Sequence, residues 1–446
     1  MRAILLLVAV LISYGSLYPF NFSANGHWLR QGLLLFTQPD LHMGRGDLVG
    51  NLLLFAPYGF VATLLCHGQR HGRVTGQWVL LLAQGLLLAL VLQLAQLWLP
   101  SRVPALGDVV ANAGGMLLGV AAALLAHRVA PAATGDSANL LLGRALAPAV
   151  LMLLWLGYQW FPLVPTIDLQ NMINAVKPLV RTPQLDAVRA LHTALAWLAF
   201  FKLWQLASGQ RTPAIGACRT WSAESENRPQ RAQFLPDLQP NSPAIGQKDG
   251  VLEERRSQKW AAAVDLQPAI SKSDRLLALA LAALCILGAK LVIVGASISL
   301  TNAVGLGLAL ACLPWRQHSA ALPVLIIAML VSLLASGLAP FGLSDVPQAF
   351  HWIPFTGMLE GSMGVNLLNL VEKTYFYGAL IVFMAANGAR PVPAASAVAI
   401  CLGAIEAAQV FMPNRVAETT DPILALIIGF VIGWLSPRRK PVRASA

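Results

Sequence analysis

Residues 92–119, LQLAQLWLPSRVPALGDVVANAGGMLLG, connect the end of one apolar run to the start of the next through a short polar segment. The flanking runs cover residues 78–99 and 109–127, and about 20 apolar residues are enough for a helix to cross the hydrocarbon core of a bilayer. The segment between them carries Arg102 and, six positions later, Asp108. This stretch therefore predicts a transmembrane helical hairpin with two charged residues in or next to its loop.

The composition of the whole chain also indicates a membrane protein. Of its 446 residues, 57% are hydrophobic and 11% are charged, and the mean hydropathy is +0.63, which lies outside the usual range of a soluble domain. We therefore predict an all-α, polytopic transmembrane fold. The predicted spans number about twelve and lie near residues 2–20, 48–66, 78–99, 109–127, 145–161, 188–207, 276–297, 302–314, 320–338, 366–386, 394–412 and 422–436.

A second stretch repeats the spacing of the first. Both read Gln or Glu, two residues, Gln, three residues, Pro, one residue, Arg, five residues and Asp. The positions are Gln93, Gln96, Pro100, Arg102 and Asp108 in the first copy, and Glu406, Gln409, Pro413, Arg415 and Asp421 in the second. Each copy belongs to a four-span block whose first span closes on Leu-x-Pro-Phe, at residues 17–20 and 338–341. An even number of spans separates the copies, so we predict two parallel repeats with both charged loops facing outside.

The predicted organisation places one block near each end of the chain. Residues 208–274 are rich in Pro, Gln, Ser and charge, which is typical of a disordered linker. Lys and Arg residues near the span ends place this linker and both termini in the cytoplasm. The predicted domains are the first block 1–130, two middle spans 131–207, the linker 208–274, two middle spans 275–318, the second block 319–437 and a basic tail 438–446.

Three stretches, SLYPF (16–20), GDLVGNLLLFAPYGF (46–60) and residues 92–119, resemble the VanZ-like family of bacterial integral membrane proteins. The stretch GAIEAAQVFMPNRVAETTDPILALIIGFVIG (403–433) looks like a second copy. The resemblance implies a multi-pass protein of the bacterial cytoplasmic (inner) membrane with a role in the cell envelope. The family is named for a protein associated with teicoplanin resistance, and its members are also common near exopolysaccharide genes.

The two copies differ from the family pattern in different ways. The first has Gln93 where the family usually has Glu, and the second has Asn366 where the first has Asp47. The candidate ligand-binding residues are Gln93, Gln96, Arg102, Asp108, Asp47, Asn51, Glu406, Gln409, Arg415, Asp421 and Glu372. Because only the second copy keeps a glutamate within its span, we expect the second loop to be the working one if only one copy functions.

Each candidate also has a structural interpretation. Arg102 and Arg415 suit a phosphate or carboxylate, which a guanidinium binds with two parallel hydrogen bonds, but either could pair with the aspartate that follows or, for Arg415, with Glu406. Asp47, Asp108 and Asp421 stand at the beginning of a span, where an aspartate can cap backbone N–H groups. These alternatives remain open at the level of sequence.

The remaining polar residues lie within the spans. An acid inside the membrane is a functional candidate, yet Glu406 could simply satisfy Arg415 or Lys373. Glu372 and Lys373 are adjacent, so they point about 100° apart on a helix and indicate a polar seam against other spans. Asn51 is expected to form interhelical hydrogen bonds.

The sequence supports three classes of function. The first is an envelope protein that either is not an enzyme or has no assigned activity. It binds a lipid-linked or anionic surface component such as a glycan or cell-wall precursor, and it affects envelope biogenesis or teicoplanin sensitivity. The second is a transporter or flippase for such a precursor, and the third is a membrane enzyme with Glu406 as general acid or base. The expected partners include membrane lipids. We expect no cofactor and no metal. We also expect no nucleic-acid partner, since the net charge of +11 is spread over short cytoplasmic loops.

Overall fold

The structure, a computed structural model, describes residues 2–23, 32, 37, 44–67, 74–101, 105–129, 136–208, 272–360, 363–413 and 415–435. These residues are almost entirely helical. The α-helices are α1 Arg2–Leu17, α2 Arg45–His67, α3 Val74–Gln96, α4 Leu106–Val129, α5 Asp136–Trp160, α6 Leu169–Val180, α7 Ala187–Ala207, α8 Lys272–Gly288, α9 Leu300–Cys312, α10 Ala321–Leu338, α11 Thr356–Glu360, α12 Met363–Ala386, α13 Pro391–Gln409 and α14 Thr420–Leu435. Short 3-10 helices follow α8 and α9, at Ala289–Val292 and Leu313–Gln317.

The apolar helices confirm the predicted all-α transmembrane fold. Within the described residues, six helices are long and apolar enough to cross a membrane, at Leu48–Cys66, Gln77–Gln96, Leu106–Leu125, Ala321–Leu338, Gly364–Ala386 and Pro391–Gln409. Five shorter apolar helices lie at Arg2–Leu17, Ala145–Trp160, Leu276–Val292, Leu300–Trp315 and Thr420–Leu435. The count of twelve spans is not confirmed. The predicted run 188–207 forms helix α7, which carries Arg189, His192 and Lys202 and falls outside both sets.

The first block packs its second helix closely against its fourth. A Cβ atom at Gly119 would collide with the backbone carbonyl of Ala56, and one at Gly115 with that of Leu52. Glycine at these positions lets the backbones of α2 and α4 approach each other. The core beside this contact consists of Ile12, Phe55, Tyr58, Ala62, Ala89, Leu92 and Met116.

The second block consists of α10, α12, α13 and α14, and a long connection joins its first two helices. We call residues 344–356 of this connection the strap. Ser344 N donates to Phe411 O over 2.6 Å, and His351 N donates to Ala417 O over 2.9 Å. The strap therefore runs along the loop between α13 and α14, which contains the repeated Pro-x-Arg motif.

The described residues divide into two compact units. The first takes residues within Met1–Val164, Lys202–Gln210 and Ile326–Ala446, and the second takes residues within Pro165–Phe201 and Arg211–Leu325. The described residues of both predicted blocks fall in the first unit, apart from residues 319–325. In the second unit the side chain of Asn171, on α6, donates to the carbonyls of Leu291 and Ile293 over 3.2 and 3.1 Å.

Candidate functional site

The polar site of the first block is centred on Asp108, in the first turn of α4. Its Oδ1 accepts a hydrogen bond from Asn51 Nδ2 over 2.8 Å, and its Oδ2 accepts one from Gln93 Nε2 over 3.1 Å. Because Asn51 lies on α2 and Gln93 on α3, the carboxylate joins three helices. Two neutral amides therefore donate to the acid of this block, and Asn51 forms an interhelical hydrogen bond, as predicted.

A second polar residue lies one turn further along α4. Asn112 is 5% exposed, and its Oδ1 is buried and accepts no hydrogen bond from the part of the chain that the structure describes. A buried acceptor without a donor costs free energy. Asn112 thus offers an unused acceptor inside the first block.

The site of the second block is centred on Asp421, in the first turn of α14. Its Oδ1 accepts from Lys373 Nζ over 2.6 Å, and its Oδ2 accepts from the Tyr377 hydroxyl over 2.8 Å. Lys373 and Tyr377 are four residues apart on α12 and therefore share one helix face. The aspartate thus holds α14 to α12, as Asp108 holds α4 to α2, but through an ammonium and a phenol.

Two further carboxyl groups lie close to Asp421. Glu406, on α13, is 5% exposed, and its Oε2 accepts a hydrogen bond from Glu418 N over 2.8 Å. The Oε2 of Glu418 is buried and has no hydrogen-bond partner among the described residues. Asp421, Lys373 and Glu418 are all within electrostatic range of Glu406. We call Lys373, Tyr377, Glu406, Glu418 and Asp421 the acidic cluster, since it contains three carboxyl groups and one ammonium.

The geometry of the acidic cluster limits what it can bind. Within the described ranges, no three His, Cys, Asp or Glu side chains come together in an arrangement that could hold a metal ion. Carboxylates accept hydrogen bonds from hydroxyl and amine donors, and a Lys ammonium has three donors of which Asp421 uses one. The cluster therefore offers carboxylate acceptors for hydroxyl or amine donors, and an ammonium whose other two donors Asp421 does not use.

Arg415 binds backbone carbonyls, and not the nearby acids that the sequence offered as its partners. Its Nε donates to Ala339 O over 3.0 Å, and its Nη2 donates to Ser336 O over 2.8 Å and also to Ala339 O. These carbonyls belong to the C-terminal end of α10, which leaves its last carbonyls unpaired and carries the negative end of the helix dipole. Among the described residues, no ion pair joins Arg415 to Glu406 or Asp421. The guanidinium thus caps α10 and fixes the α13–α14 loop to it.

The two blocks share further hydrogen bonds in the same register. Gln96 Nε2 donates to Ser16 O and Gln409 Nε2 to Gly337 O, both over 2.9 Å. The first residue of each motif accepts from a backbone N–H twelve positions later, in one block Gln93 from Ala105 over 3.3 Å and in the other Glu406 from Glu418 over 2.8 Å. The first and second polar residues of the motif are therefore used in the same way in both blocks.

Comparison with known proteins relates the first block to a family. Residues 3–127 match the VanZ/LLP1 family. No curated protein and no solved structure matches the chain. The predicted VanZ-like character is thus confirmed for the first block, which we call the VanZ/LLP1 segment. The match does not extend to the second block.

For three candidates the structure does not test the predicted role. Arg102 lies outside the described residues, as does the side chain of Asp47, although the backbone of Asp47 belongs to α2. Glu372 is half-buried on α12 beside Lys373. The ligand-binding roles of these residues remain predictions.

The sequence did not single out Tyr377, Glu418 or Thr420. Tyr377 could have been found from its spacing, because it lies four residues after Lys373 and so on the same face of the helix. Glu418 sits in a loop, and its nearness to Glu406 depends on how that loop folds back. Thr420 is 4% exposed, and its hydroxyl accepts from Phe355 N over 2.7 Å, a contact between residues 65 positions apart.

Proposed function

We propose that this protein is a cell-envelope membrane protein that binds a lipid-linked or anionic surface component and thereby affects envelope biogenesis or glycopeptide (teicoplanin) sensitivity. The VanZ/LLP1 match of residues 3–127 supports the membrane and family part of this proposal. The acidic cluster of the second block is the single observation that carries the binding part. We place it on the outer face of the cytoplasmic membrane, from the distribution of Lys and Arg in the loops.

The composition of the cluster favours a phosphate-linked sugar as ligand. The Lys373 side chain is 40% exposed, so its ammonium is accessible to a phosphate while one of its N–H groups still donates to Asp421. Glu406 and Glu418 can accept hydrogen bonds from sugar hydroxyls, and the unused Oε2 of Glu418 is such an acceptor. A polyprenyl phosphate that carries a sugar presents both groups at the end of an apolar chain.

The direct test is a binding measurement with the purified full chain in nanodiscs. The probes are a polyprenyl-phosphate-linked sugar, the polyprenyl phosphate alone and the unphosphorylated polyprenol, and bound lipid is read by native mass spectrometry. We expect the linked sugar to bind best. Glu406→Gln, Glu418→Gln and Lys373→Met should each weaken it roughly tenfold or more, since hydrogen bonds to charged groups are the strong ones.

The matched control is Asp345→Asn, which changes an exposed acid of the same block and should bind like the wild type. Equal binding by the wild type and by all three cluster variants would contradict the proposed site. The link to glycopeptides is tested separately, by the teicoplanin sensitivity of cells that carry the wild type or Glu406→Gln at equal protein levels. Identical sensitivity would remove that part of the proposal.

Transport is the second candidate, and the cluster also favours it. Ionisable side chains from three helices meet beside a membrane span, an arrangement found in proton relays of pumps and transporters. A reconstituted assay would follow movement of a labelled lipid-linked sugar across vesicles with and without a pH gradient. Flux that depends on Glu406 would favour a flippase, and binding without flux would favour the first candidate.

A further inference from the structure

We infer that Tyr14, in the VanZ/LLP1 segment, is a positioning residue for the acidic cluster of the second block. It acts through the strap, and no motif of either copy includes it. The inference goes one step beyond the proposed function, on which its ligand-binding consequence rests. It assigns a role in the second site to the first block.

The first contact joins α1 to the strap. The Tyr14 hydroxyl donates to Pro354 O over 2.6 Å. Its ring also meets the ring of Phe355 edge to face, with 6.3 Å between the ring centroids, which is a favourable arrangement for two aromatic rings. One side chain thus holds two consecutive residues of the strap, 340 positions away in sequence.

The second set of contacts joins the strap to the beginning of α14. Phe355 N donates to the Thr420 hydroxyl over 2.7 Å, and the Thr419 hydroxyl donates to Trp352 O over 2.9 Å. The backbone of Thr419 also donates to His351 O over 3.2 Å. Thr420 directly precedes Asp421, so these bonds fix the turn of helix that presents the Asp421 carboxylate to Lys373 and Tyr377.

Phe355 is the strained residue between the two sets of contacts. Its φ angle is 63°, in the left-handed region that non-glycine residues rarely occupy. Such a conformation persists when the surrounding contacts determine it, and it occurs frequently at functional sites. Here Tyr14 holds Phe355 from one side and Thr420 from the other. Loss of the Tyr14 hydroxyl should therefore release the strap and loosen the beginning of α14.

The test compares Tyr14→Phe with the wild type in nanodiscs by hydrogen–deuterium exchange. The amides to follow are those of His351, Phe355 and Thr419, which the structure places in the hydrogen bonds between strap and helix. We expect their exchange to become on the order of fivefold faster, as the loss of one hydrogen bond predicts. Binding of the polyprenyl-phosphate-linked sugar should weaken by a similar factor.

The matched control is Tyr58→Phe, which removes a hydroxyl that donates to Leu81 O inside the first block and should leave strap exchange unchanged. Unchanged exchange in Tyr14→Phe would overturn the inference. Faster exchange with unaltered binding would overturn the positioning role. If the wild type binds no linked sugar, the proposed function fails, and the exchange result still decides whether Tyr14 controls the strap.

A different observation, a repeated turn, leads to a second inference about the middle of the chain. Phe20, Leu163 and Phe341 have φ angles of 62°, 64° and 62°. The backbone N–H of each donates to the carbonyl oxygen of the residue three positions earlier. These acceptors are Leu17, Trp160 and Leu338, at 2.9, 2.6 and 2.7 Å. The three acceptor residues are the last residues of α1, α5 and α10. The turn that closes the first helix of both blocks thus also closes α5, which belongs to neither block.

The loops that pair with these turns share one register as well. Three positions after Phe20, Leu163 and Phe341, a backbone N–H donates to a carbonyl in a distant segment. The bonds run from Ser23 N to Trp98 O over 2.8 Å, from Thr166 N to Val292 O over 2.8 Å and from Ser344 N to Phe411 O over 2.6 Å. Trp98 and Phe411 each stand two positions after the second Gln of their motif. Val292 stands two positions after Lys290. Lys290 therefore occupies the place of Gln96 and Gln409.

We infer that α5, α7, α8 and α9 are, in chain order, a third copy of the helix pattern seen in the two blocks. The segment predicted as a linker, 208–274, then lies between the second and third helices of this copy. Asn302 follows Lys290 by twelve positions, as Asp108 follows Gln96 and Asp421 follows Gln409. Asn302 also lies in the first turn of its helix, after the cap Ser299. The third copy has thus lost the acid on which the other two sites are centred.

Cysteine pairs test this register in a variant without the native cysteines. The pairs 23/98, 166/292 and 344/411 should each form a disulfide on mild oxidation, read by mass spectrometry of the digested protein. Pairs shifted by two residues, 23/96, 166/290 and 344/409, serve as controls and should form at least severalfold less. Cross-linking of the outer two pairs without 166/292 would overturn the third copy.

Discussion

Lys373 and Asp421 form an ion pair of 2.6 Å that holds the last helix of the second block to the second helix. The Asp421 side chain is 10% exposed and the Lys373 side chain 40%. The carboxylate therefore has less contact with solvent, and it needs its partner more than the ammonium does. The first block makes the same connection with Asn51 and Asp108 over 2.8 Å. In this helix contact the aspartate is thus bound by an amide on the second helix of one block and by an ammonium on the second helix of the other.

Removal of the ammonium should destabilise the second block. Lys373→Met leaves the buried Asp421 carboxylate without its cation, and we expect a loss of about 1–3 kcal/mol, below the value for a fully buried pair because Lys373 is partly exposed. Thermal unfolding of the purified protein in detergent measures this loss. The double variant Lys373→Met/Asp421→Asn should recover part of it. A melting temperature of Lys373→Met equal to that of the wild type would show that the pair contributes nothing.

Tyr377→Phe should lower stability more than Tyr58→Phe. The Tyr377 hydroxyl donates to a carboxylate and the Tyr58 hydroxyl to the carbonyl of Leu81, and hydrogen bonds to charged groups contribute roughly 1.5–3 kcal/mol against about 1 kcal/mol for neutral ones. The two variants remove the same atom from the same residue type, so their melting temperatures compare directly. The opposite order would show that the hydrogen bond to Asp421 contributes less than the one to the Leu81 carbonyl.

Glu406→Gln should be tolerated by the fold and yet lose ligand binding. A glutamine at this position can donate to Asp421, as Gln93 donates to Asp108 over 3.1 Å, and it removes one of two neighbouring buried carboxyl groups. We expect a melting temperature equal to or above that of the wild type, an example of the trade-off between stability and function. A clear drop in melting temperature would show that the second block needs the acid for folding.

Arg415 should contribute to stability and not to binding. Arg415→Ala removes the cap from α10, for which we expect a loss of about 1–2 kcal/mol, and Arg415→Lys should recover only part of it because an ammonium cannot reproduce the planar fork. Binding of the polyprenyl-phosphate-linked sugar per folded molecule should match the wild type at a temperature where both are folded. A loss of binding by Arg415→Ala at full folding would restore the direct anion-binding role that the sequence suggested.

Gly119→Ala should disturb the contact between α2 and α4. The added methyl group would collide with the Ala56 carbonyl, and we expect a loss of about 1–3 kcal/mol from overpacking. Gly157→Ala is the control, because a methyl group on Gly157 meets no atom within 4 Å and alanine favours a helix over glycine. The melting temperature should fall in the first variant and stay or rise in the second.

The sequence predicted the helices well because their signals are local. Apolar runs near residues 48–66, 109–127 and 394–412 became α2, α4 and α13 within a few residues, since the cost of burying backbone polar groups in a membrane forces such runs into helices. The spacing of the two motifs was equally informative. It brought Gln96 and Gln409 to the same kind of carbonyl in their two blocks.

By itself, then, the sequence determined the transmembrane class and the VanZ-like character of the first block, and it named Asp108 and Asp421 among its candidate residues. Only the tertiary structure decided which partners these residues take. Arg415 binds carbonyls of α10, Lys373 binds Asp421, and Tyr14 reaches Pro354 across 340 positions. The physical reason is that a side chain bonds whatever donor or acceptor the packing of helices brings within about 3 Å, and that packing joins segments far apart in the chain.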